Sequence, residues 1–414
     1  MLHINKAMRT TPCALLLGAL LLTAGCQSAA PANTASGAPE PTVSAVVTAT
    51  PSPDGGTADS LNNGDAAASP QATGAAAGDT AAAATLSQPT AVRLASATSG
   101  WLGGAGWIAR TDDGGQSWKQ QYKGDAAIGQ IFALNDTMAW AVTNKQELLA
   151  TTDGGQTWTA AGAVPNNGFL HFVSAKEAFM ANAATKDGGR TWTTLQVPAS
   201  SVGDPYFHDA ANGWAVTQTD GTGKVERTTD GGRTWTTVMS RPLAAPLNGA
   251  LIRSAGPNDA WVEWIGDSGM TQTSYSLFHT ADGGGSWQTV IANSTAGGGP
   301  APGFPLEYNE GPKNEGSRPG PLYVVDRQTA FMGGSCPACD KPNTIGWTKD
   351  GGKTWVNGSA AFTGYGEALL AMADSKRGWW ITTDNAEPSV MYTTADGGKT
   401  WSKMYMFARP KAGS

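Results

Sequence analysis

Beyond residue 90 the apolar positions of this 414-residue chain come in short bursts, and the bursts recur. An apolar run such as AVRLAS (91–96), IGQIFAL (128–134), FLHFVSA (169–175) or PLYVVD (321–326) leads through a polar turn into an aromatic segment. The aromatic segments are SGWLGG (99–104), MAWAVT (138–143), EAFMAN (177–182), NGWAVT (212–217), DAWVEW (259–264), TAFMGG (329–334) and RGWWIT (377–382). Short runs rich in aromatic and β-branched residues and bounded by Gly, Asp and Ser predict strands, and no helical periodicity or capping pattern competes with them.

Each aromatic segment is followed by one octapeptide of the form TxDGGx[ST]W, beginning at residues 111, 151, 185, 228, 280, 348 and 394. A DG pair between strand-forming runs signals a hairpin, because Gly adopts and Asp tolerates the positive φ of tight turns. The carboxylate is expected to accept hydrogen bonds from turn amides and the neighbouring hydroxyl. The second Gly avoids a Cβ clash, and the Trp folds back to bury area between units. Each unit therefore reads as strand A, a turn, aromatic strand B, a loop, strand C ending in the octapeptide, and strand D starting at its Trp. The aspartates Asp113, Asp153, Asp187, Asp230, Asp282, Asp350 and Asp396 are 40, 34, 43, 52, 68 and 46 residues apart, the length of four short strands with turns. Only eight residues separate Phe179 from Asp187, so strand C of the third unit must be very short. A catalytic reading would require seven sites, each lacking a His, Glu or second carboxylate at fixed spacing, so the seven Asp are assigned to structure. The expected fold is all-β: a seven-bladed β-propeller with four-stranded blades over residues 91–408, with 409–414 a C-terminal tail.

The first 90 residues follow different rules. Lys6 and Arg9 precede the apolar run Ala14–Leu22, which is too short to span a bilayer permanently, and TAGC then leads into Cys26. This pattern resembles the lipobox of bacterial lipoproteins, so residues 1–25 are expected to be a signal peptide and Cys26 an acylated first residue. Several acyl chains would be needed for firm anchoring. Residues 27–90 hold no Phe, Trp, Tyr, Lys or Arg, and offer too little apolar surface to offset the entropy of ordering. Residues 26–90 are thus expected to be the lipidated Cys and a disordered linker, spanning about 45 Å as a flexible coil. The layout predicts an exported protein, lipid-anchored at the outer face of a bacterial membrane, at the cell surface or in a periplasm.

Charge narrows the partners. Of 33 acids five lie in the linker, and of 27 bases two lie in the signal, leaving 28 acids against 25 bases in the body. So balanced a body suggests neither nucleic acid nor an anionic surface as partner. A protein partner, possession of no cofactor, and a monomeric state are expected.

The A–B and C–D turns of an A-B-C-D blade lie at one end, and the B–C and D–A loops at the other. The long insertions, 292–320, 265–275, 334–344 and 383–389, would all project from the face opposite the octapeptides, and loops on a rigid scaffold are where binding residues concentrate. Candidate partner contacts there are Trp264, Tyr275, Phe304, Tyr308, Glu310, Lys313 and Arg318. Within the same region Cys336 and Cys339 form a CPAC pair. A zinc site needs about four ligands, and the mature chain supplies only His171, His208 and His279 besides Cys26, so no metal is expected. In an exported protein a disulfide across the pair fits better.

The octapeptides resemble Asp boxes, the bacterial neuraminidase repeats S/T-x-D-x-G-x-T/S-W. Combined with the G-W-a-V strand, they are similar to the photosystem II stability and assembly factor family of seven-bladed propellers. The resemblance covers all seven units and implies a non-catalytic scaffold that assists assembly or stability of an envelope or membrane complex. Asp boxes also occur in sialidases, sortilin-type receptors and xyloglucan hydrolases. The alternatives are therefore a sialidase-like or other glycoside hydrolase, or a glycan-binding propeller. The sequence lacks an F-R-I-P start, and no pair of acids repeats at a catalytic spacing.

Overall fold

The computed structural model describes residues 85–410. The signal peptide, Cys26 and almost all of the expected linker lie outside the described residues. Every regular element among them is a β-strand, and no helix there is long and apolar enough to cross a membrane.

The strands form antiparallel meanders in six sheets, one of six strands and five of four. The propeller therefore has six blades, not the seven that the octapeptide count predicts. The reason lies at the start of the chain. Strands β1 (Pro89–Leu94), β2 (Gly100–Thr111), β3 (Lys119–Ala133), β4 (Ala139–Thr143), β5 (Glu147–Thr151) and β6 (Thr159–Ala163) form one sheet. Strand D of the first unit runs without a break into strand A of the second. The early part of β3 pairs with β2 and its later part with β4. The two halves of this sheet face each other across Trp101, Ile108, Ile128, Ile131 and Leu149. Within β2 the chain turns back at Ala105–Gly106, where Gly106 has φ 77°, and Arg110 returns to lie over the Trp101 ring at 4.5 Å.

The other five sheets each hold one sequence unit, from Leu170–Phe172 in the second sheet to Ser402–Met406 in the sixth. The strand C expected to be very short is Ala183–Thr185. The B-strand aromatics Trp101, Trp140, Phe179, Trp214, Trp261, Phe331 and Trp379 are all buried. The octapeptide tryptophans are only half-buried and pack at the margins of the same clusters. Burial of side chains this large on both faces of each sheet is the principal drive for stacking the units.

The octapeptide forms the same turn seven times. At the second copy, Thr151 Oγ1 donates to Asp153 Oδ1 (2.8 Å) and accepts from Gly155 N (2.8 Å). Thr157 donates its amide to Oδ1 (3.0 Å) and its hydroxyl to Oδ2 (2.5 Å). Both glycines of every copy have positive φ, as in Gly154 (74°) and Gly155 (86°), which explains why a Cβ is tolerated at neither. The first glycine then donates to a carbonyl of its own A–B turn: Gly114 to Thr98, Gly154 to Thr137, Gly188 to Lys176, Gly231 to Ala211, Gly283 to Asn258, Gly351 to Gln328 and Gly397 to Lys376. Those seven bonds put the boxes and the A–B turns at one end.

The ring closes by packing. Leu94, Leu102 and Trp107 of the first sheet share a core cluster with Ala371, Trp379, Ile381 and Met391 of the last. The chain ends clasp there as well: Ala408 N donates to Leu86 O at 2.8 Å, and Phe407 is buried beside them. A further clasp joins neighbouring units where His279, stacked on Trp261, reaches Asp259 Oδ2 (2.8 Å) and Gly351 O (2.9 Å) of the next box.

Candidate functional site: the loop face and the channel beneath it

The insertions come together on the end opposite the boxes. The amide of Thr273, in the B–C hairpin of the fifth unit, donates to Ser317 O (2.8 Å), and Ser317 N donates to Ser335 O (2.8 Å) at the start of the next B–C loop. Gly297 N donates to Gln272 Oε1 (2.6 Å), and Arg318 Nη2 reaches Met270 O (2.5 Å). The long segment 292–320 is thus stitched to the hairpins on either side.

This order places the expected contact residues unequally. Trp264 and Tyr275 have no exposed surface and Phe304 has 7%, so these three are core residues and not surface contacts. The cause is register: Trp264 and Tyr275 sit inside long paired strands, Ala260–Ser268 and Thr273–Thr280, rather than in the loop between them. The Tyr275 hydroxyl accepts hydrogen bonds from within the fold, from Asn293 Nδ2 (3.0 Å) and Asn314 Nδ2 (3.2 Å). Phe304 stacks on half-buried Tyr308 with ring centroids 4.3 Å apart. Lys313 Nζ is tied to Ala292 O (2.8 Å) and Ser294 Oγ (3.1 Å), and Arg318 is half-buried; Glu310 alone of the set is fully exposed.

The rim is instead marked by side chains that sequence reading passed over. Met270 is 96% exposed, Leu306 74% and Tyr365 63%. Each sits in a turn or loop of this face. A loop position was the available signal, but an apolar residue in a polar loop is harder to single out than an aromatic cluster. Cys336 and Cys339 are joined by a disulfide with Cα atoms 5.4 Å apart, in the B–C loop of the sixth unit. Tyr365 OH donates to Cys339 O (3.2 Å), and Tyr365 N to Asp384 Oδ2 (3.0 Å), so the disulfide turn and Tyr365 share one wall. Beneath them opens a cavity of about 790 Å³ lined in part by Arg318, Pro337, Tyr365, Glu367 and Asn385.

Next to this mouth a second cavity of about 430 Å³ runs along the A strands that ring the centre. Three of its lining residues, Arg93, Arg253 and Tyr323, belong to one layer of A-strand side chains. The residue opposite each B-strand aromatic is Arg93, Phe132, His171, Tyr206, Arg253, Tyr323 or Ala371. Several of these side chains meet around the ring. Arg93 lies over Phe132 at 4.6 Å and Tyr323 at 5.9 Å, and it reaches Tyr323 past the small Ala371. Phe132 meets His171 (5.8 Å), His171 meets Tyr206 (5.4 Å), and Arg253 lies 3.8 Å over Phe169. Burial, joined by the neighbouring cations His208, Arg93 and Arg253, lowers the His171 imidazole to about 4 despite its bond to His208 O. Burial also raises Tyr206 to about 12 and lowers Arg253 to about 10. Behind the layer, Glu263 is buried in the apolar seam between the fifth and sixth units. Burial there raises its carboxyl to about 8 against the opposing pull of Arg253.

Among the described residues no three His, Cys, Asp or Glu side chains gather as metal ligands would.

Comparison with known proteins follows the same lines. The family model described as "Photosynthesis system II assembly factor YCF48" matches residues 125–259. No curated protein matches the sequence. Among solved structures, one named "YCF48 bound to D1 peptide" is 16% identical, with 76% of this chain and 92% of that chain covered and a TM-score of 0.44. YCF48 from Cyanidioschyzon merolae gives the same identity and TM-score over 76% of this chain and 95% of its own. An oligogalacturonate lyase in complex with manganese aligns with a TM-score of 0.50 at 9% identity, over 72% of this chain and 86% of that one, a likeness of fold alone. The chain is a β-propeller built from Asp-box repeats, and it resembles the photosystem II assembly factor family.

Proposed function

We propose that this chain is an exported, membrane-tethered and non-catalytic propeller that binds a protein partner through its loop face and assists assembly or stability of a membrane complex. The family match over residues 125–259 supports an assembly-factor role. The observation that carries the choice of surface is the exposure of Met270, Leu306 and Tyr365 on one rim, around a stitched and disulfide-braced set of loops. Large apolar side chains held out on a fixed rim are characteristic of protein contact sites. Tethering rests on the apolar run and Cys26 of the sequence.

Affinity capture from host membranes with the tagged full chain tests the surface. Replacing Leu306 and Tyr365 together with Asp is expected to weaken capture of the principal partner about tenfold or more, as for loss of two buried anchors. Val356→Asp, on the outer strand of the sixth unit, serves as the control and should leave capture unchanged. Equal loss in both variants, or none in the first, would remove the loop face from consideration. Tethering has its own check: Cys26→Ser should shift the protein from the membrane to the soluble fraction.

A further inference from the structure

Among the described residues the two arginines of the channel layer, Arg93 and Arg253, have no directly paired anion. The Arg93 side chain donates no hydrogen bond, and its Nε is buried without a partner. Arg253 donates only to the carbonyl of Ile252, next to it in the chain (2.8 Å). Both guanidinium groups are held by stacking, Arg93 over Phe132 and Arg253 over Phe169. Stacking uses the faces of a guanidinium and leaves its N–H edge to seek an acceptor.

No Asp or Glu lines the 430 Å³ cavity into which both arginines project. Exposed Asp204 shares a smaller neighbouring cavity with Arg253 and favours its charge from a distance, but it lies outside ion-pair distance. Glu263, buried near Arg253, stays protonated up to about pH 8 and so contributes no charge near neutrality. The remaining walls are largely apolar, with Val92, Leu322 and Leu370 among them, and two amides, Gln130 and Asn167, stand higher up. Two half-buried cations facing largely apolar walls gain from an anion that joins them. The volume suits a small molecule.

We propose that the channel binds a small organic monoanion, a carboxylate on an aromatic or branched apolar body, with the carboxylate between Arg93 and Arg253. The apolar body fills the space toward the loop face. This site stands apart from protein capture on the rim and holds whether or not the rim binds a partner.

Phenylacetate and its uncharged analogue phenylacetamide, titrated into the full chain by calorimetry and by saturation-transfer NMR, provide the test. Phenylacetate is expected to bind about tenfold or more tightly than phenylacetamide, as for loss of a charge-assisted contact. Arg253→Gln should lower phenylacetate affinity by a similar factor. Arg93→Met, which keeps the stack on Phe132, should do the same with the thermal midpoint preserved. Lys123→Gln, on the outer strand of the first unit, should change nothing. Absence of phenylacetate binding, equal affinity for acid and amide, or full affinity in folded Arg93→Met and Arg253→Gln proteins would overturn the assignment.

Discussion

Glu263→Gln is expected to remove the loss of stability that Glu263 imposes on the unmodified protein as pH rises from about 4.5 to about 8. Glu263 lies on the inward side of its strand beside Trp261, Tyr275 and Leu322, with only 2% of its surface exposed. Its Oε1 has no hydrogen-bond partner. Burial therefore raises the carboxyl from 4.5 to about 8, and Arg253 pulls the other way without prevailing. In the unfolded chain the same group ionises near its ordinary value. Between the two pKa values the folded state holds a proton that the unfolded state has released. The contribution of Glu263 to stability consequently falls with rising pH over that window and levels off above it, while His171, lowered to about 4, adds an opposing rise up to its ordinary 6.5. At about 1.4 kcal/mol per pKa unit the fall is on the order of 5 kcal/mol, a large part of the usual margin of a folded domain. Glutamine does not titrate, so the slope of unfolding free energy against pH between 5 and 8 should become more positive by about one proton equivalent in Glu263→Gln than in the unmodified protein. Urea unfolding at a series of pH values measures it, and an unchanged slope would show that another group carries the effect. Because the slope is compared rather than the absolute stability, any packing change from the amide drops out.

Much of this architecture was readable from the chain. The octapeptide announces its own turn, because Thr, Asp, two Gly and a second hydroxyl residue all act within eight positions. Strand B is equally local, marked by an aromatic directly after Gly or Ala. What lay beyond reach depends on pairing between units. The continuity of β3 from Lys119 to Ala133 comes from residues that look like a polar strand D followed by a separate strand A, and nothing local marks their fusion into one sheet. The burial of Trp264 and Tyr275 follows from how far the fifth unit's hairpin is paired, with Ile265 still opposite Tyr275. The channel layer was accessible in principle: Arg93, Phe132, His171 and Arg253 each sit shortly before an A–B turn, and aligning the seven A runs on those turns would have stacked them. Glu263 gave no such signal, since a Glu inside WVEW alternates like a solvent-facing residue and only the neighbouring unit buries it.

The boxes set the opposite limit of pH. At Asp153, Asp230, Asp282 and Asp396 the hydroxyl of the Ser or Thr four residues on is the largest influence, and with the other bonds it lowers the carboxyl to about 2. Thr191 depresses Asp187 in the same way. At Asp113 and Asp350 burial is the largest single influence and acts upward, but the hydrogen bonds together outweigh it. Folded values below the ordinary 3.8 mean that stability is fully present above that value and is lost as pH falls through about 2. Seven sites of one kind make the acid limb steep, because each box takes up about one proton on unfolding in that range. Replacing Asp153, Asp230 and Asp282 with Asn should reduce proton uptake in acid unfolding by about three protons, one per box replaced, as read from the pH dependence of the urea midpoint between pH 2 and 4. If uptake stayed constant through the series, the carboxylates would not be what holds the turns. The boxes confine the fold from the acid side and Glu263 from the alkaline side, and His171, lowered to about 4, offsets Glu263 up to its ordinary 6.5, so the stability maximum should fall between about pH 4.5 and 6.5. Combining Glu263→Gln with intact boxes should extend that maximum into a plateau reaching neutrality, whereas Asn at the boxes with Glu263 intact should carry the plateau toward acid.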